Sequence, residues 1–155
     1  MERPAPQEDR DTIADREQAI VNEFALFDDW MGRYEYLIEQ GRSLPLINPV
    51  FQTDDYKIRG CQAQVWLQAQ QDGPLVRFKA DSDAAITKGL IALLIRVLSG
   101  QPAEAIVGAG LDFLDKIEMK EHLSPTRKNG LNAMIKQMKL YAVAFHQAAV
   151  GKGAN

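Results

Sequence analysis

Apolar residues near the start of the chain recur at the three- and four-residue spacing that is typical of amphipathic helices. After a polar lead-in over residues 1–11, which we predict to be disordered, Thr12 can cap a first helix. A second helix is predicted to begin near Asp28 or Asp29 and to stop at Gly41. Residues 42–57 contain two prolines and predict an irregular connection.

The pattern then changes to apolar and polar residues in alternation. Residues 62–70 and residues 75–80 each alternate in this way, which predicts two half-buried strands. The aspartate, glycine and proline at 72–74 are typical of a turn, so the two strands should form a β-hairpin. A third strand is predicted, on a weaker signal, just before Gly60.

Helical spacing returns in the second half of the chain. The Asp-Ser-Asp run at 81–83 can cap a long apolar helix over residues 84–98. Two short helices are predicted between residues 102 and 119, and Ser124 can cap the last helix. Residues 149–155 are predicted to be a flexible tail.

The order of these elements predicts an α+β fold, with one small antiparallel sheet flanked by helices. The sequence contains no internal repeat and no second apolar pattern that would predict another domain. One domain over residues 12–148 is therefore expected.

Composition and charge narrow the class of protein. The chain has 155 residues, 46% hydrophobic and 25% charged, which is typical of a globular domain. Its net charge of −3 gives no basic face, so we expect no nucleic-acid partner. No stretch approaches the roughly 20 apolar residues of a membrane span, and the start of the chain has no apolar core of a secretory signal. We therefore predict a cytoplasmic protein without a membrane anchor.

The chain has one cysteine, Cys61, and two histidines. One thiol can form no internal disulfide, and it is too few for the four thiolates of an iron–sulfur cluster. A zinc site would need more ligands than the two histidines provide. We predict no metal site.

Cys61 can have one of two roles. It follows Gly60, which can place the thiol on a tight turn, and Lys57 and Arg59 are close enough in sequence to favour the thiolate. The alternative is a small buried hydrophobic residue, and the spacing alone favours that alternative. Transfer of sulfur between thiols needs no histidine base, so a single cysteine is sufficient for it.

Other polar residues give weaker signals. Neither His122 nor His146 has a spacing that connects it with the cysteine as a catalytic base. Asp83 is more simply a helix cap than a catalytic acid. Arg127 opposes the dipole of the last helix, so it is either screened by solvent or held for a partner. Trp66 is most simply a packing residue on the strand.

Three motifs in register over residues 15–147 resemble the SufE family of sulfur acceptors. They are Gly60-Cys61-Gln62-Ala63-Gln64-Val65-Trp66; Asp81-Ser82-Asp83-Ala84-Ala85-Ile86 with Lys88-Gly89-Leu90; and His122-Leu123-Ser124-Pro125-Thr126-Arg127 with Gly130-Leu131. The chain differs from the family pattern at Ala63, where a serine is common, and at Ala80, where we expect a glycine. Both are small-for-small changes that leave the acceptor cysteine in place.

The resemblance implies a SufE/IscU-like fold and a role in iron–sulfur cluster assembly. Cys61 would accept persulfide sulfur from a SufS-type, pyridoxal-phosphate-dependent cysteine desulfurase, stimulate its turnover and deliver the sulfur to the SufBCD scaffold complex. The cofactor would belong to the partner, and the chain itself would have none. The family resemblance also suggests a monomer or weak homodimer.

The resemblance further implies roles for residues around the cysteine. Gly60 and Gln62 would present Cys61 on a loop, Trp66 would support it, and Val65 with the rest of the hairpin would shelter the persulfide. Asp83 and Arg127 would support the loop or dock the partner. The chain would be a sulfur-transfer accessory protein with a covalent intermediate, not a stand-alone enzyme.

Three alternatives remain from the sequence. The chain could be a CsdE-type acceptor that serves a paralogous desulfurase. It could be a cysteine-based hydrolase or redox enzyme, which would require a histidine within hydrogen-bond reach of Cys61. It could also be a non-catalytic interaction module in which the cysteine is merely buried.

Overall fold

Two helices open the part of the chain that the computed structural model describes, residues 11–153. A β-hairpin, a long buried helix and a final group of helices follow. The elements are α1 (Ile13–Phe24), α2 (Trp30–Arg42), β1 (Val65–Asp72), β2 (Leu75–Ser82), α3 (Ala85–Leu98), β3 (Gln101–Pro102), α4 (Ala103–Gly108), α5 (Phe113–Lys116) and α6 (Pro125–Gly153), with 3-10 turns at Pro49–Phe51, Asp54–Tyr56 and Lys120–His122.

The first two helices begin where their capping residues predict. The Thr12 hydroxyl accepts a hydrogen bond from the Asp15 N–H at 3.1 Å, and the Asp15 carboxylate accepts one from the Thr12 N–H at 3.3 Å. This reciprocal pair is a capping box. The Asp29 carboxylate accepts from the Gly32 N–H at 2.8 Å in the same way at the start of α2. These predicted starts are confirmed.

The predicted stop of α2 at Gly41 is wrong. The helix continues to Arg42, and Gly41 is buried inside it. A Cβ on Gly41 would lie 2.8 Å from the backbone nitrogen of Gly89 on α3, and one on Gly89 would overlap the carbonyl oxygen of Leu37. Gly41 is therefore present because two helix backbones cross here in direct contact, not because the helix ends.

The hairpin is confirmed, with shifted ends. Strands β1 and β2 pair antiparallel from Val65 opposite Ser82 to Asp72 opposite Leu75. Gly73 turns the chain at φ +58°, a conformation that glycine adopts without strain. Strand β1 begins three residues later than the alternation predicts, because residues 62–64 belong to the preceding loop.

The third strand does not lie where the sequence predicts it. Before Gly60 there is an isolated bridge between Lys57 and Trp66. Strand β3 lies instead beyond α3 and pairs with the other edge of β2, with Gln101 opposite Val76. A strand of two residues has no alternation to detect, so the pattern could not predict it.

The predicted cap at residues 81–83 is also wrong. Asp81 and Ser82 are the last residues of β2, and α3 begins only at Ala85. The Ala84 side chain makes no capping hydrogen bond, and the Ser82 hydroxyl accepts from the Ala84 N–H at 3.3 Å. Strand pairing with Val65 holds this run in extended conformation, so Asp83 is free for another contact.

Helix α3 forms the centre of the core. Its buried residues pack on the sheet, on α2 and on α6. The guanidinium of Arg16, which is 5% exposed, donates to the Ser99 carbonyl at 2.6 Å and so satisfies a backbone group at the end of α3. A three-stranded antiparallel sheet with helices packed around it confirms the predicted α+β class.

The two ends of the chain lie partly outside the described residues. Of the predicted lead-in at residues 1–11, the structure describes Asp11, whose carbonyl accepts from the Gln101 amide at 2.6 Å. Helix α6 continues to Gly153, past the predicted boundary at residue 148. Within residues 11–153, no helix combines the length and apolar character needed to cross a membrane.

Candidate functional site

Cys61 lies on a short loop, residues 59–64, which we call the Cys61 loop. The loop is closed at its base by a hydrogen bond from the Ile58 N–H to the Val65 carbonyl at 2.8 Å. Gly60 has φ +89°, in the region that side chains disfavour, and it turns the chain just before the cysteine. The predicted turn at Gly60 is confirmed.

The thiol of Cys61 points towards helix α6. Its Sγ lies 3.4 Å from the carbonyl oxygen of Gly130, to which it can donate a weak hydrogen bond. Gly130 is buried in the second turn of α6, and Cys61 is half-buried against it. The thiol is therefore neither on open surface nor walled into the core.

A cleft of about 410 Å³ opens beside the thiol, and we call it the thiol cleft. The Cys61 loop, the first turns of α3 and the first turns of α6 line it. Its apolar lining includes Leu90, Leu131 and Met134, and its polar lining includes Asp83 and Arg127. The cleft thus has an apolar wall and a charged wall next to the sulfur.

Asp83 holds the end of the Cys61 loop. Its carboxylate accepts from the Gln64 N–H at 3.0 Å, and its own N–H donates to the Gln64 carbonyl at 3.2 Å. These two bonds join the loop to the turn between β2 and α3. The capping role that spacing favours is absent, and the structure places Asp83 beside the loop.

The electrostatics of Cys61 differ from the sequence prediction. Burial raises the pKa of the Cys61 thiol, because desolvation disfavours the thiolate. Lys57 instead pairs with Asp54 at 3.4 Å, and both Lys57 and Arg59 line a separate cleft of about 770 Å³. The predicted activation of Cys61 by these two cations is therefore wrong in this arrangement, and burial favours the thiol over the thiolate.

Arg127 is exposed at the start of α6. Its N–H donates to the Ser124 hydroxyl at 3.2 Å, which confirms the predicted cap of this helix. Within residues 11–153 its guanidinium makes no hydrogen bond or ion pair, and it lines the thiol cleft. A positive charge is thus available at the mouth of the cleft.

Val65 and Trp66, which the first motif suggested as supports of the loop, do not line the thiol cleft. Val65 is fully buried in the core, and Trp66 is half-buried on β1 opposite Asp81. The apolar lining of the cleft comes instead from residues of α3 and α6. Leu131 and Met134 line the cleft although the sequence assigned neither of them to the site, and their apolar character at helical spacing is the signal that could have found them.

Both histidines lie away from the thiol cleft. The ring of His122 stacks on Trp30, with centroids 3.5 Å apart, and its Nδ1 lies 3.1 Å from the Glu118 carbonyl. His146 lines a cleft at the hairpin turn, beside Pro74. Across the described part of the chain, no histidine lines the thiol cleft to act as a base for Cys61.

One group of potential metal ligands lies on the surface. Oxygen or nitrogen atoms of Glu118, Glu121 and His122 lie within 4.8 Å of one another, and all three residues are exposed. Exposed carboxylates often cluster without an ion, and Cys61 is not among these residues. We assign no metal to the group.

Comparison with known proteins identifies relatives along most of the chain. A family model for SufE, described as an Fe-S metabolism associated domain, matches residues 18–142. An uncharacterized SufE-like protein of Rhizobium meliloti is 42% identical over 125 residues, which cover 77% of this chain and 89% of the relative. A second, from Rhizobium etli, is 37% identical and covers 86% of this chain and 93% of the relative.

Two further similarities extend beyond these bacteria. SufE-like protein 1 of Arabidopsis thaliana, described as chloroplastic/mitochondrial, is 39% identical over 81% of this chain, which is 34% of that longer protein. The solution structure of a hypothetical protein from Thermus thermophilus superposes with a TM-score of 0.69. It covers 83% of this chain and 94% of the other, at 21% identity, so it supports the fold alone.

Proposed function

Because this chain belongs to the SufE family of Fe-S metabolism associated domains, we propose that it accepts sulfur on Cys61 from a cysteine desulfurase and delivers it to the SufBCD scaffold complex. The observation that carries this proposal is the position of the single thiol. It lies on a loop turned by a left-handed glycine and faces a cleft that has room for more than the thiol itself.

The transfer step exchanges one S–S bond for another. The Cys61 thiol loses its proton to solvent, and the thiolate attacks the outer sulfur of the persulfide on the desulfurase. A bond forms between Sγ and that sulfur, the S–S bond of the partner's persulfide breaks, and the partner's cysteine leaves as a thiolate. One S–S bond is made and one is broken, so no oxidant or reductant is consumed.

Removal of the sulfur frees the partner's cysteine for another round, which explains the expected stimulation of the desulfurase. The same exchange then runs in the delivery direction. A thiolate on the scaffold attacks the outer sulfur on Cys61, and Cys61 leaves as a thiolate. Pyridoxal phosphate supplies its chemistry on the desulfurase, and we propose no cofactor for this chain.

In its resting position, Cys61 is better placed to hold a sulfur atom than to attack the partner's persulfide. The thiol is half-buried, so that its thiolate is disfavoured, and it faces α6. The transfer therefore requires the Cys61 loop to turn outward, where water and the partner can stabilise the thiolate. The tip of the loop is held by the weak sulfur contact to Gly130, whereas its base is held by the stronger backbone bonds of Ile58 and Gln64.

We assign supporting roles to the two charged residues of the cleft. Asp83 fixes the end of the loop through Gln64, so the outward motion is confined to the residues around Cys61. Arg127 offers a cation at the mouth of the cleft, where it can stabilise a thiolate or contact an acidic group on the partner. Gln62 is exposed at the tip, next to the thiol.

The alternatives from the sequence are less consistent with this geometry. A hydrolase would need a base at Cys61, and within residues 11–153 neither histidine lines the thiol cleft. A purely structural cysteine would be enclosed by apolar side chains, whereas Cys61 borders an open cleft on a polar loop. The choice between a SufS-type and a CsdE-type role, the oligomeric state and the cytoplasmic location stay predictions.

Desulfurase turnover tests the proposal. Purified protein is added to a SufS-type desulfurase with cysteine, and alanine formation is followed in the presence of a reductant. We expect the wild-type chain to raise the rate and the Cys61→Ser variant to bind the desulfurase without raising it. A serine variant that stimulates as well as the wild type would refute the acceptor role. The same assay with a Csd-type desulfurase identifies which partner is preferred.

A further inference from the structure

Gly130 is an unusual choice for the interior of a helix. It lies in the second turn of α6, between Asn129 and the fully buried Leu131. A glycine inside a helix is less stable than an alanine there, because it loses more backbone freedom on folding. Its backbone has no positive φ that would exclude a side chain. The reason for glycine must therefore lie in its surroundings.

The atoms that face Gly130 from outside its own helix belong to Cys61. A Cβ added at Gly130 would lie 3.5 Å from the Cys61 Sγ and 4.0 Å from the Cys61 Cβ, and no other atom outside the helix backbone lies within 4 Å. A distance of 3.5 Å is ordinary van der Waals contact. An alanine would thus fit beside the reduced thiol, and it would fill the space next to the sulfur.

We propose that the missing side chain at position 130 leaves the space that the outer sulfur of a Cys61 persulfide occupies when the loop is folded inward. This inference rests on the proposed function, because it assumes that Cys61 carries a second sulfur. Gly130 is a positioning residue in this scheme: it forms no bond with the sulfur and decides whether the loaded loop can return to the cleft.

The dimensions support this assignment. The S–S bond is about 2.05 Å long, so the outer sulfur projects well beyond the position of the thiol hydrogen that it replaces. In the resting structure that hydrogen can point to the Gly130 carbonyl. A sulfur atom is too large for the hydrogen's position and turns aside into the thiol cleft, which Gly130 lines. An added Cβ at residue 130 would lie 3.5 Å from Sγ and would take up space on this side of the sulfur.

A side chain at position 130 should affect Cys61 only when the cysteine carries a second sulfur. A methyl group at position 130 leaves room for the thiol but competes with the outer sulfur, which is similar in size to a methyl group. The loaded Cys61 loop of a Gly130→Ala variant would therefore remain outward more often. An exposed persulfide loses its outer sulfur when a small thiolate attacks it and Cys61 leaves as a thiolate.

The test compares Gly130→Ala with the wild type and with Gly108→Ala. Gly108 ends α4, has nothing within 4 Å of an added Cβ, and does not line the thiol cleft. Each protein is loaded with inorganic polysulfide and freed of excess reagent. Loss of the added sulfur to reduced glutathione is followed by intact mass, and alkylation of the unloaded thiol by iodoacetamide is measured in parallel.

We expect the persulfide of Gly130→Ala to decay about tenfold faster than those of the other two proteins, which corresponds to about 1.4 kcal/mol of crowding. The unloaded thiols should alkylate at equal rates, and Gly130→Ala should melt at or above the wild-type temperature. Equal persulfide lifetimes would overturn the inference. So would faster alkylation of the unloaded variant, since alanine would then already displace the thiol.

Loading with polysulfide separates this inference from the proposed function. A wild-type chain that holds sulfur from polysulfide but accepts none from any desulfurase contradicts the proposed function, and the lifetimes still decide the role of Gly130. A wild-type chain that holds no sulfur from either donor overturns both.

Discussion

At the crossing of α2 and α3, Gly41 and Gly89 let two helix backbones touch, whereas beside Cys61, Gly60 turns the chain and Gly130 leaves space next to the thiol. In the first pair, an added Cβ would collide with backbone atoms of the neighbouring helix. In the second pair, it would meet the Cβ of Ala133 at 3.3 Å or the thiol at 3.5 Å. Glycine thus permits close backbone packing in one region, and in the other it permits a turn before Cys61 and space beside its thiol.

This difference predicts which property each glycine controls. Backbone atoms in a helix crossing cannot move aside, so a methyl group there must separate the helices and loosen the core. The Cys61 loop is largely exposed and can adjust, so a methyl group there should change reactivity more than stability. Substitutions at these glycines test the difference.

The largest effect is expected for Gly89→Ala. The new Cβ would overlap the Leu37 carbonyl, and we expect a loss of about 3 kcal/mol in the free energy of unfolding, despite the better helix propensity of alanine. Urea unfolding followed by circular dichroism measures it. The Gly108→Ala variant should be unchanged within about 0.5 kcal/mol, since its added methyl meets nothing. A Gly89→Ala protein of wild-type stability would show that the helices do not cross in contact.

A smaller loss of stability is expected for Gly60→Ala. Alanine at φ +89° is strained by about 1–2 kcal/mol, and we expect the Cys61 loop to shift and sulfur acceptance to fall more than stability does. The control is Gly73→Ala, which also places alanine at a positive φ, +58°, on the hairpin turn away from the thiol. If both variants accept sulfur equally well, the turn at Gly60 has no role in presenting Cys61.

Removal of the Asp83 carboxylate should loosen the loop. In Asp83→Ala the Gln64 N–H loses its acceptor, which costs about 1 kcal/mol, and the Cys61 thiol should alkylate faster. Asp83→Asn retains an oxygen that can accept the same bond, so its alkylation rate should stay close to that of the wild type. Equal rates in all three proteins would mean that Asp83 does not restrain the loop.

The smallest effect is on the pH dependence of stability. Burial raises the pKa of Cys61 in the folded chain above its value in the unfolded chain, so the folded state holds this proton more tightly. The corresponding stabilisation is fully present below the unfolded thiol pKa, near 8.5, and is lost as pH rises through the folded value. The difference in unfolding free energy between wild type and Cys61→Ser should therefore shrink above about pH 8.5. A difference that is constant with pH would indicate an unburied thiol.

Much of the fold could be predicted because its signals are local. Thr12, Asp29 and Ser124 each accept a hydrogen bond from a backbone N–H three residues later, so a short stretch of sequence contains the whole interaction. The hairpin likewise depends on alternation and on Gly73 between the strands. The capping prediction for Asp83 failed because its partner, Gln64, is 19 residues away in sequence.

The difference between local contacts and contacts that are distant in sequence also explains the corrections at the site. Lys57 and Arg59 are close to Cys61 along the chain, but the turn at Gly60 places them on another cleft. Gly41 could be a helix stop or a crossing residue, and only the position of Gly89 decides between these. The motif identified the cysteine, and no local pattern could place it opposite Gly130.

Intact mass shows whether Cys61 takes up a sulfur atom from a desulfurase. The purified chain is incubated with a SufS-type desulfurase and cysteine, separated, and weighed with and without alkylation, with Cys61→Ser and a desulfurase-free sample as controls. We expect the Cys61 peptide of the wild type to gain about 32 Da when desulfurase and cysteine are both present. The serine variant and the desulfurase-free sample should gain no mass. A wild-type chain that gains no mass while the desulfurase is active, or a serine variant that gains the same mass, would contradict the acceptor role of Cys61.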